Sequence, residues 1–358
     1  MSDKQNILFC ISSLAGGGAE KLLIQILKRF NFQAFEVDLF VINKIGVYFD
    51  DIPPQVNWFT KETENGQLSK EYDIEVAFLE GTSTKFIAKR KSNALKIAWV
   101  HLDLLTCHWT KNYYTSDDEE AACYSQMHQI VFVSNDALSQ FGKLFPQVDT
   151  PRRVILNMIE RDAIIANAGL ARVPKTKFTL CSVGSLIYRK RYDRLIPIIA
   201  RLINVDHLDF HFWIVGAGEQ ERLLRDLIEV YLLEEVVFLQ GFHKNPYPFI
   251  KCADAYVSVS FVEGYPLVIA EALCLGKAIM ATKVTGSMEM LDDGKAGLLV
   301  NTDDESVYAG LKKIITSADL REDLAKKATL RSEIFDTQKT MDEIYRLFSF
   351  EKNLLINF

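Results

Sequence analysis

Residues 263–276 read EGYPLVIAEALCLG and place two carboxylates, Glu263 and Glu271, eight positions apart with Pro266 and an apolar run between them. Pro266 suits the first turn of a helix and Gly276 its stop, so the spacing predicts a helix over 266–275. Glu263 then precedes the helix and Glu271 lies about one and a half turns inside it, some 8 to 12 Å further along at ~1.5 Å per residue. A helix N-terminus between two carboxylates favours a diphosphate. The carboxylates on either side can accept hydrogen bonds from sugar and ribose hydroxyls. Alone, each glutamate reads as a loop or surface charge. Glu271, however, is flanked by apolar residues on every side, where a solvated face is hard to find.

Other residues add to this chemistry. Arg189, Lys190 and Arg191 follow a strand-like segment, a place that favours a site over a merely solvated basic loop. His101 ends another strand-like segment, with His108 seven residues on in a loop rich in Trp109, Tyr113 and Tyr114. Gly16, Gly17 and Gly18 follow the first strand and open a helix, so backbone can approach a ligand closely. That triplet is neither a Walker loop nor a complete dinucleotide fingerprint, since Lys21 stands where the third glycine would fall. No D-x-D triplet occurs, so no metal is expected.

The elements that must hold these residues alternate. Strand-like runs fall at 35–42, 73–79, 95–102 and 129–134 after the first at 6–14, then again at 178–186, 210–218, 235–242, 255–260 and 277–282. Runs this apolar predict parallel sheets covered on both faces. Periodicity weakens between 150 and 177, which marks a linker. With 358 residues and 49% hydrophobic content, the chain is long enough for two domains, here 1–158 and 159–336, with an amphipathic tail over 337–358 packing back onto the first. Net charge of −6 with no long single-sign run argues against nucleic acid as a partner. The six scattered cysteines form no C-x-x-C pair and read as reduced thiols. The chain shows no signal peptide and no bilayer-spanning run, which predicts a cytoplasmic protein.

The segment from Ser260 through Glu263-Gly264-Tyr265-Pro266-Leu267 to Glu271-Ala272 resembles the E-x7-E signature of retaining glycosyltransferases of family GT4, which have the GT-B fold. SVGSLIYRKRYDRLI, WIVGAGEQERLL, VVFLQGF and TKVTGSMEMLDDGKAGLLV resemble further segments of that family in order over 178–301, and the glycine loop, KIAWVHLD, VFVS and VILN match more weakly.

The resemblance implies two Rossmann-like doubly wound domains facing a central cleft, the first binding acceptor and the second binding donor. It implies that Glu271 contacts ribose, Glu263 the transferred sugar, Lys190 and Arg189 the diphosphate, and His101 the donor sugar near the reaction centre. Gly17, Gly18, Ser185, Gly216, Gly241, Phe242, Gly264, Tyr265, Pro266 and Leu267 complete the implied donor site. Ser185 stands where the family has arginine; either Arg189 or Arg191 compensates, or donor affinity is weaker.

The implied reaction is metal-independent transfer of a hexose with retention, from a nucleotide sugar (UDP-linked foremost) to a glycan or lipid-linked glycan in bacterial surface polysaccharide or lipopolysaccharide synthesis. No cofactor is expected. A dinucleotide-dependent oxidoreductase and a GT-B sugar-nucleotide epimerase are the alternatives. Lys85, Lys89, Arg90, Lys91 and Lys96 form a basic run that is either a solvated face or a contact with the inner-membrane surface.

Overall fold

The computed structural model describes residues 4–349. The chain divides into two compact units: one comprises everything up to Met158 together with Thr337 onward, the other Ile159–Asp336.

The first unit carries strands β1 (Gln5–Ile11), β2 (Phe35–Val41), β3 (Asn57–Phe59), β4 (Ile74–Ala77), β5 (Leu95–Val100), β6 (Gln129–Phe132) and β7 (Arg152–Val154). They form one sheet in the order β3-β2-β1-β4-β5-β6-β7, parallel throughout. The second unit carries β8 (Thr179–Val183), β9 (His211–Val215), β10 (Val237–Gly241), β11 (Ala255–Ser258), β12 (Ala278–Thr282) and β13 (Leu298–Val300), also all parallel, in the order β10-β9-β8-β11-β12-β13.

In both sheets the winding direction reverses beside the first strand, between β1 and β4 and between β8 and β11. Such reversals open a crevice at the carboxyl ends of the strands, where doubly wound sheets take their ligands. The central strands are apolar on both faces because helices cover both: Ile7, Leu8, Phe9, Cys10 and Ile11 have no exposed surface.

Each strand expected from the sequence has its counterpart, shorter at its carboxyl end by one to three residues in most cases, because the chain leaves the ladder there to form the loops that matter below. β3, β7 and β13 were not expected. Each is only three residues long, too short to show an alternating or apolar pattern.

The terminal helix Thr337–Ser349 belongs to the first unit. Met341, Ile344, Leu347 and Phe348 recur at helical spacing and are buried. Tyr345 stacks on Phe35 with ring centroids 5.8 Å apart, its hydroxyl donates to the Arg29 carbonyl at 3.1 Å, and Phe348 meets Phe9 edge-on. The expected tail beyond Ser349 lies outside the described residues. Among those described, no helix is long and apolar enough to cross a membrane.

Candidate active site

In the second unit three loops leave β8, β9 and β10 side by side and are joined by backbone. The Gly184 N–H donates to the Val215 carbonyl at 3.0 Å, Leu186 N–H to Ala217 at 2.9 Å, and Gly216 N–H to Gly241 at 2.8 Å. Glycine is required at the closest approach: a Cβ on Gly216, whose φ is +154°, would stand 2.0 Å from the Gly184 carbonyl oxygen. Ser185 and the short turn Tyr188–Lys190 follow, and the Phe261 N–H donates to the Arg189 carbonyl at 2.8 Å. That bond ties the loop after β8 to the loop after β11, across the winding reversal.

There Lys190 meets Glu263. Nζ lies 2.5 Å from Oε1, with the two side chains 18% and 12% exposed, and the Ser260 hydroxyl donates to the same oxygen at 2.6 Å. Burial pushes the Glu263 carboxyl up, but the Lys190 charge, the hydrogen bonds from Lys190 and Ser260, and the nearby Arg189 charge outweigh it, so the group sits below its ordinary range. Arg191 is engaged differently. It adopts a left-handed backbone (φ +58°), its guanidinium lies over the rings of Tyr188 and Phe261, and it donates to the Tyr188 hydroxyl at 2.7 Å. Of the two arginines expected to offset Ser185, Arg189 is therefore the one whose charge acts at the pair.

The two-glutamate stretch needs one correction. Pro266 is the cap of the helix Leu267–Cys274, not its first residue, with an extended ψ of 103°. Its carbonyl accepts from the Ile269 and Ala270 N–H groups at 3.1 and 3.3 Å. The N–H groups of Leu267 and Val268 come before the first intrahelical acceptor. Gly276 ends the helix with φ +60°, as expected.

Glu271 is 4% exposed and accepts from the Tyr247 hydroxyl at 3.4 Å, so it is a buried carboxylate and not a surface charge. The Tyr265 side chain is also buried, and burial pushes its phenol up to about 12. Glu263 and Gly264 are backed by the next crossover: the Thr285 hydroxyl donates to the Glu263 carbonyl at 3.1 Å, and a Cβ on Gly286 would lie 2.5 Å from the Gly264 oxygen. Gly241 has φ +74° with open space where a side chain would begin, beside a half-exposed Phe242.

The first unit places the glycine loop at the end of β1. Gly16 has φ +104°, Gly17 caps the helix Gly18–Lys28, and a Cβ on Gly17 would press to 2.4 Å from a Glu20 side-chain oxygen. The loop after β2 pairs with it. The Leu14 N–H donates to the Ile45 carbonyl at 2.8 Å, the Val47 N–H to Leu14 at 2.9 Å, and a Cβ on Gly46 would stand 1.9 Å from the Leu14 oxygen.

His101 follows β5 directly. Its ring packs beside Phe78 and Trp99, centroids 5.0 and 6.4 Å away, and desolvation holds the imidazole neutral with a pKa of about 3. His108, weighed as its competitor, is tied elsewhere: Nε2 lies 2.7 Å from the Glu120 carboxylate, and the ring packs edge-on against Phe145. Gly46, Glu80 and Glu120 were not anticipated. Gly46 lies in an unremarkable KIGV stretch, while Glu80 and Glu120 acquire meaning only from partners 21 and 12 residues away.

Residues 170–331 match the family model described as glycosyl transferases group 1. The N-acetylgalactosamine-N,N'-diacetylbacillosaminyl-diphospho-undecaprenol 4-alpha-N-acetylgalactosaminyltransferase of Campylobacter jejuni is 28% identical over 94% of this chain and 97% of its own length. A putative colanic acid biosynthesis glycosyltransferase of Salmonella typhimurium is 26% identical over 54% of this chain and 51% of its own. Among solved structures, Anabaena HepE in complex with UDP and glucose superposes with a TM-score of 0.75 over 96% of this chain and 99% of that one, at 19% identity. WaaG, a glycosyltransferase involved in lipopolysaccharide biosynthesis, gives 0.71 over 96% and 99%, at 16%. The chain has the GT-B fold, carries a glycosyl transferases group 1 segment, and is a glycosyltransferase.

Proposed function

We propose that this glycosyltransferase, of the GT4 type, transfers a hexose with retention from a nucleoside diphosphate sugar, UDP-linked foremost, to a sugar hydroxyl of a glycan or lipid-linked glycan in bacterial surface polysaccharide synthesis. The second unit is the donor domain and the first the acceptor domain. The observation that carries the reading is the Lys190–Glu263 pair, joined by Ser260, at the winding reversal of the second sheet.

Donor diphosphate takes the place beside Lys190 and Arg189, with the N–H groups of Leu267 and Val268 as further donors at the positive end of the helix. Lys190 exchanges its carboxylate partner for phosphate oxygen, and Glu263, held ionised by its neighbours, accepts from hydroxyls of the transferred sugar. Glu271 accepts from ribose, and backbone around Gly216, Gly241 and Phe242 borders the base. The bond between the anomeric carbon and the diphosphate oxygen breaks, and the acceptor oxygen bonds to that carbon from the same face. The acceptor's proton passes to the departing phosphate, so no side-chain nucleophile is needed. Lys190 stabilises charge that grows as the bond breaks, which lowers the barrier more than it tightens binding. No metal takes part in this scheme, and His101, neutral, contacts the donor sugar near the reacting carbon.

The alpha linkage and undecaprenyl-linked acceptor in the Campylobacter relative's name, and the UDP in the Anabaena structure, support the choice of donor and acceptor classes. Contact with the inner-membrane surface, from the cytoplasmic side, belongs to the proposal, with Lys89 and Lys91 the exposed cations of the basic run. Lys85 and Lys89 share Glu119, Arg90 pairs with buried Glu75 at 2.8 Å, and Lys96 donates to the Arg90 carbonyl.

The test is a thermal-shift panel of UDP, GDP, ADP, CDP and NAD in EDTA. A ligand that binds only the folded chain raises its melting temperature. The expected result is a shift by UDP that shrinks in Glu271→Ala. A shift by NAD alone would overturn the reading.

A further inference from the structure

Two buried carboxylates of the first unit, Glu80 and Glu120, have no part in the scheme above, yet both hold one segment. Glu80 stands at the carboxyl end of β4, beside the winding reversal of the first sheet, and is 2% exposed. Its Oε2 accepts the backbone N–H of His101 at 2.9 Å and its Oε1 the indole N–H of Trp109 at 3.3 Å. Glu120, without exposed surface, holds His108 of the same segment. Gly81, next to Glu80, accepts the Tyr114 hydroxyl at 2.9 Å, and Lys85 donates to the Tyr113 carbonyl at 2.8 Å. The stretch from His101 to Tyr114 is thereby pinned at its first residue, its middle and its end.

A buried carboxylate is a costly way to hold a loop. Taking it out of water must be offset by good hydrogen bonds, and an apolar residue of similar size would pack more cheaply. What it provides is direction. A side-chain acceptor from the loop after the neighbouring strand fixes where that backbone begins to turn, and hence where the ring sits beside Phe78 and Trp99. Glu80 does not work by charging the ring: desolvation alone moves the imidazole, and it moves it toward neutrality. The His101 Nε2 is buried and has no hydrogen-bond partner among the described residues, so nothing at that nitrogen holds the ring in place. Beyond the packing of the ring on Phe78 and Trp99, the polar contact from Glu80 acts on its backbone.

We infer that Glu80 is a positioning residue for His101: its carboxylate fixes the start of the 101–114 segment through the His101 N–H and the Trp109 indole, and so sets the imidazole's place in the site. This rests on the catalytic reading of His101 given above.

Two measurements test it, one of which needs no substrate. Amide hydrogen exchange on the full chain compares wild type with Glu80→Gln, which keeps size but presents an N–H₂ group to at least one of two donors. Protection of the His101 amide and its neighbours to Trp109 should fall at least tenfold, with the core strands β1 and β5 unchanged. The second follows UDP release from UDP-glucose, UDP-N-acetylglucosamine and UDP-N-acetylgalactosamine without acceptor. For the donor turned over fastest, Glu80→Gln should lower kcat about tenfold with KM within twofold, since the residues assigned to the diphosphate, ribose and base lie in the other unit. Combined with His101→Ala it should lower kcat no further than His101→Ala alone.

Unchanged protection at His101, or losses that multiply in the double variant, would overturn the inference. If His101→Ala leaves UDP release untouched while Glu80→Gln still loses protection, the role assigned to His101 fails and the structural link from Glu80 to its backbone stands.

Discussion

The loops at the carboxyl ends of the two sheets solve the same problem with opposite electrostatics. In the second unit, opposite charges meet in a partly open place: Lys190 and Glu263 each keep a fraction of their surface in solvent, and the carboxyl is held below its ordinary range. In the first unit the corresponding place falls to a neutral ring whose Nε2 is itself buried, and the acidic groups Glu80 and Glu120 are buried too, on the backbone of His101 and on the ring of His108. The difference teaches what each loop has to do. A group that must trade one anionic partner for another has to stay ionised and reachable, whereas a group that must only be in the right place can be neutral, provided something rigid holds its backbone.

The largest effect that would break this contrast is at Lys190. Lys190→Ala is expected to lower turnover about 10²- to 10³-fold, the loss typical of one preorganised charge at a departing oxygen. It should also lower the melting temperature, because Glu263 is left mostly buried with Ser260 as its remaining side-chain donor. Adding Glu263→Ala should recover most of the stability and none of the turnover. If turnover returns with stability, the pair is only structural, and the contrast between the units disappears.

A second comparison is nearly symmetrical. In each unit the loop after the second strand presses on the loop after the first through a glycine: Gly46 on Leu14, and Gly216 on Gly184, with 1.9 and 2.0 Å left for a Cβ. Because the obstacle in both cases is backbone, neither neighbour can swing aside. Gly46→Ala and Gly216→Ala should each cost on the order of 2–4 kcal/mol, read by urea denaturation. Only Gly216→Ala should also abolish the UDP thermal shift. Loss of that shift in Gly46→Ala would mean that the first unit also holds the nucleotide.

The two units were not equally legible in the sequence. The second announced itself because its chemistry is local: Ser260, Glu263 and Glu271 lie within one loop and one helix, so spacing along the chain is spacing in space. Lys190 was found by its place after a strand, although its contact with Glu263, 73 residues away, was not foreseen. In the first unit the strands and His101 could be read, since burial on both faces makes apolar runs. Glu80 and Glu120 could not, because a carboxylate's role depends on which donors the topology brings to it. The partners of the basic run were illegible for the same reason: Lys85 and Lys89 meet Glu119 and Arg90 meets Glu75, acids that stand far from them in sequence.

Acid sharpens the contrast with a smaller effect. His101 has a folded pKa of about 3 against an ordinary 6.5, so the unfolded chain takes up this proton first. Its contribution to stability is complete above about 6.5 and is lost progressively as the pH falls toward about 3. Glu263, also depressed, begins to lose its contribution only below its ordinary 4.5. Glu120, whose carboxyl burial pushes up, acts in the opposite sense. Melting temperatures from pH 7 to 4 should therefore decline less steeply in His101→Asn than in wild type, while Glu263→Gln should match the wild-type slope down to about pH 5. Equal slopes in His101→Asn and wild type would show that the ring is not buried neutral.

The smallest expected effect falls on Gly241, and it separates two reasons for a glycine. Its φ of +74° lies near the left-handed region that a side chain can adopt at modest cost, unlike the +146° and +154° of Gly46 and Gly216, and no atom lies within 4 Å of where its Cβ would be. Gly241→Ala therefore carries only the left-handed backbone cost of ~1–2 kcal/mol, partly offset because alanine restricts the unfolded chain. A net loss of about 1 kcal/mol corresponds to a few degrees in melting temperature for a unit of this size. The backbone bond from the Gly216 N–H to the Gly241 carbonyl does not involve the side chain and should survive. If the open space is where the nucleotide base lies, the added methyl group will weaken the UDP shift even though stability barely changes. If stability and the UDP shift both stay near wild type, the glycine is there for the turn alone, and the base lies elsewhere.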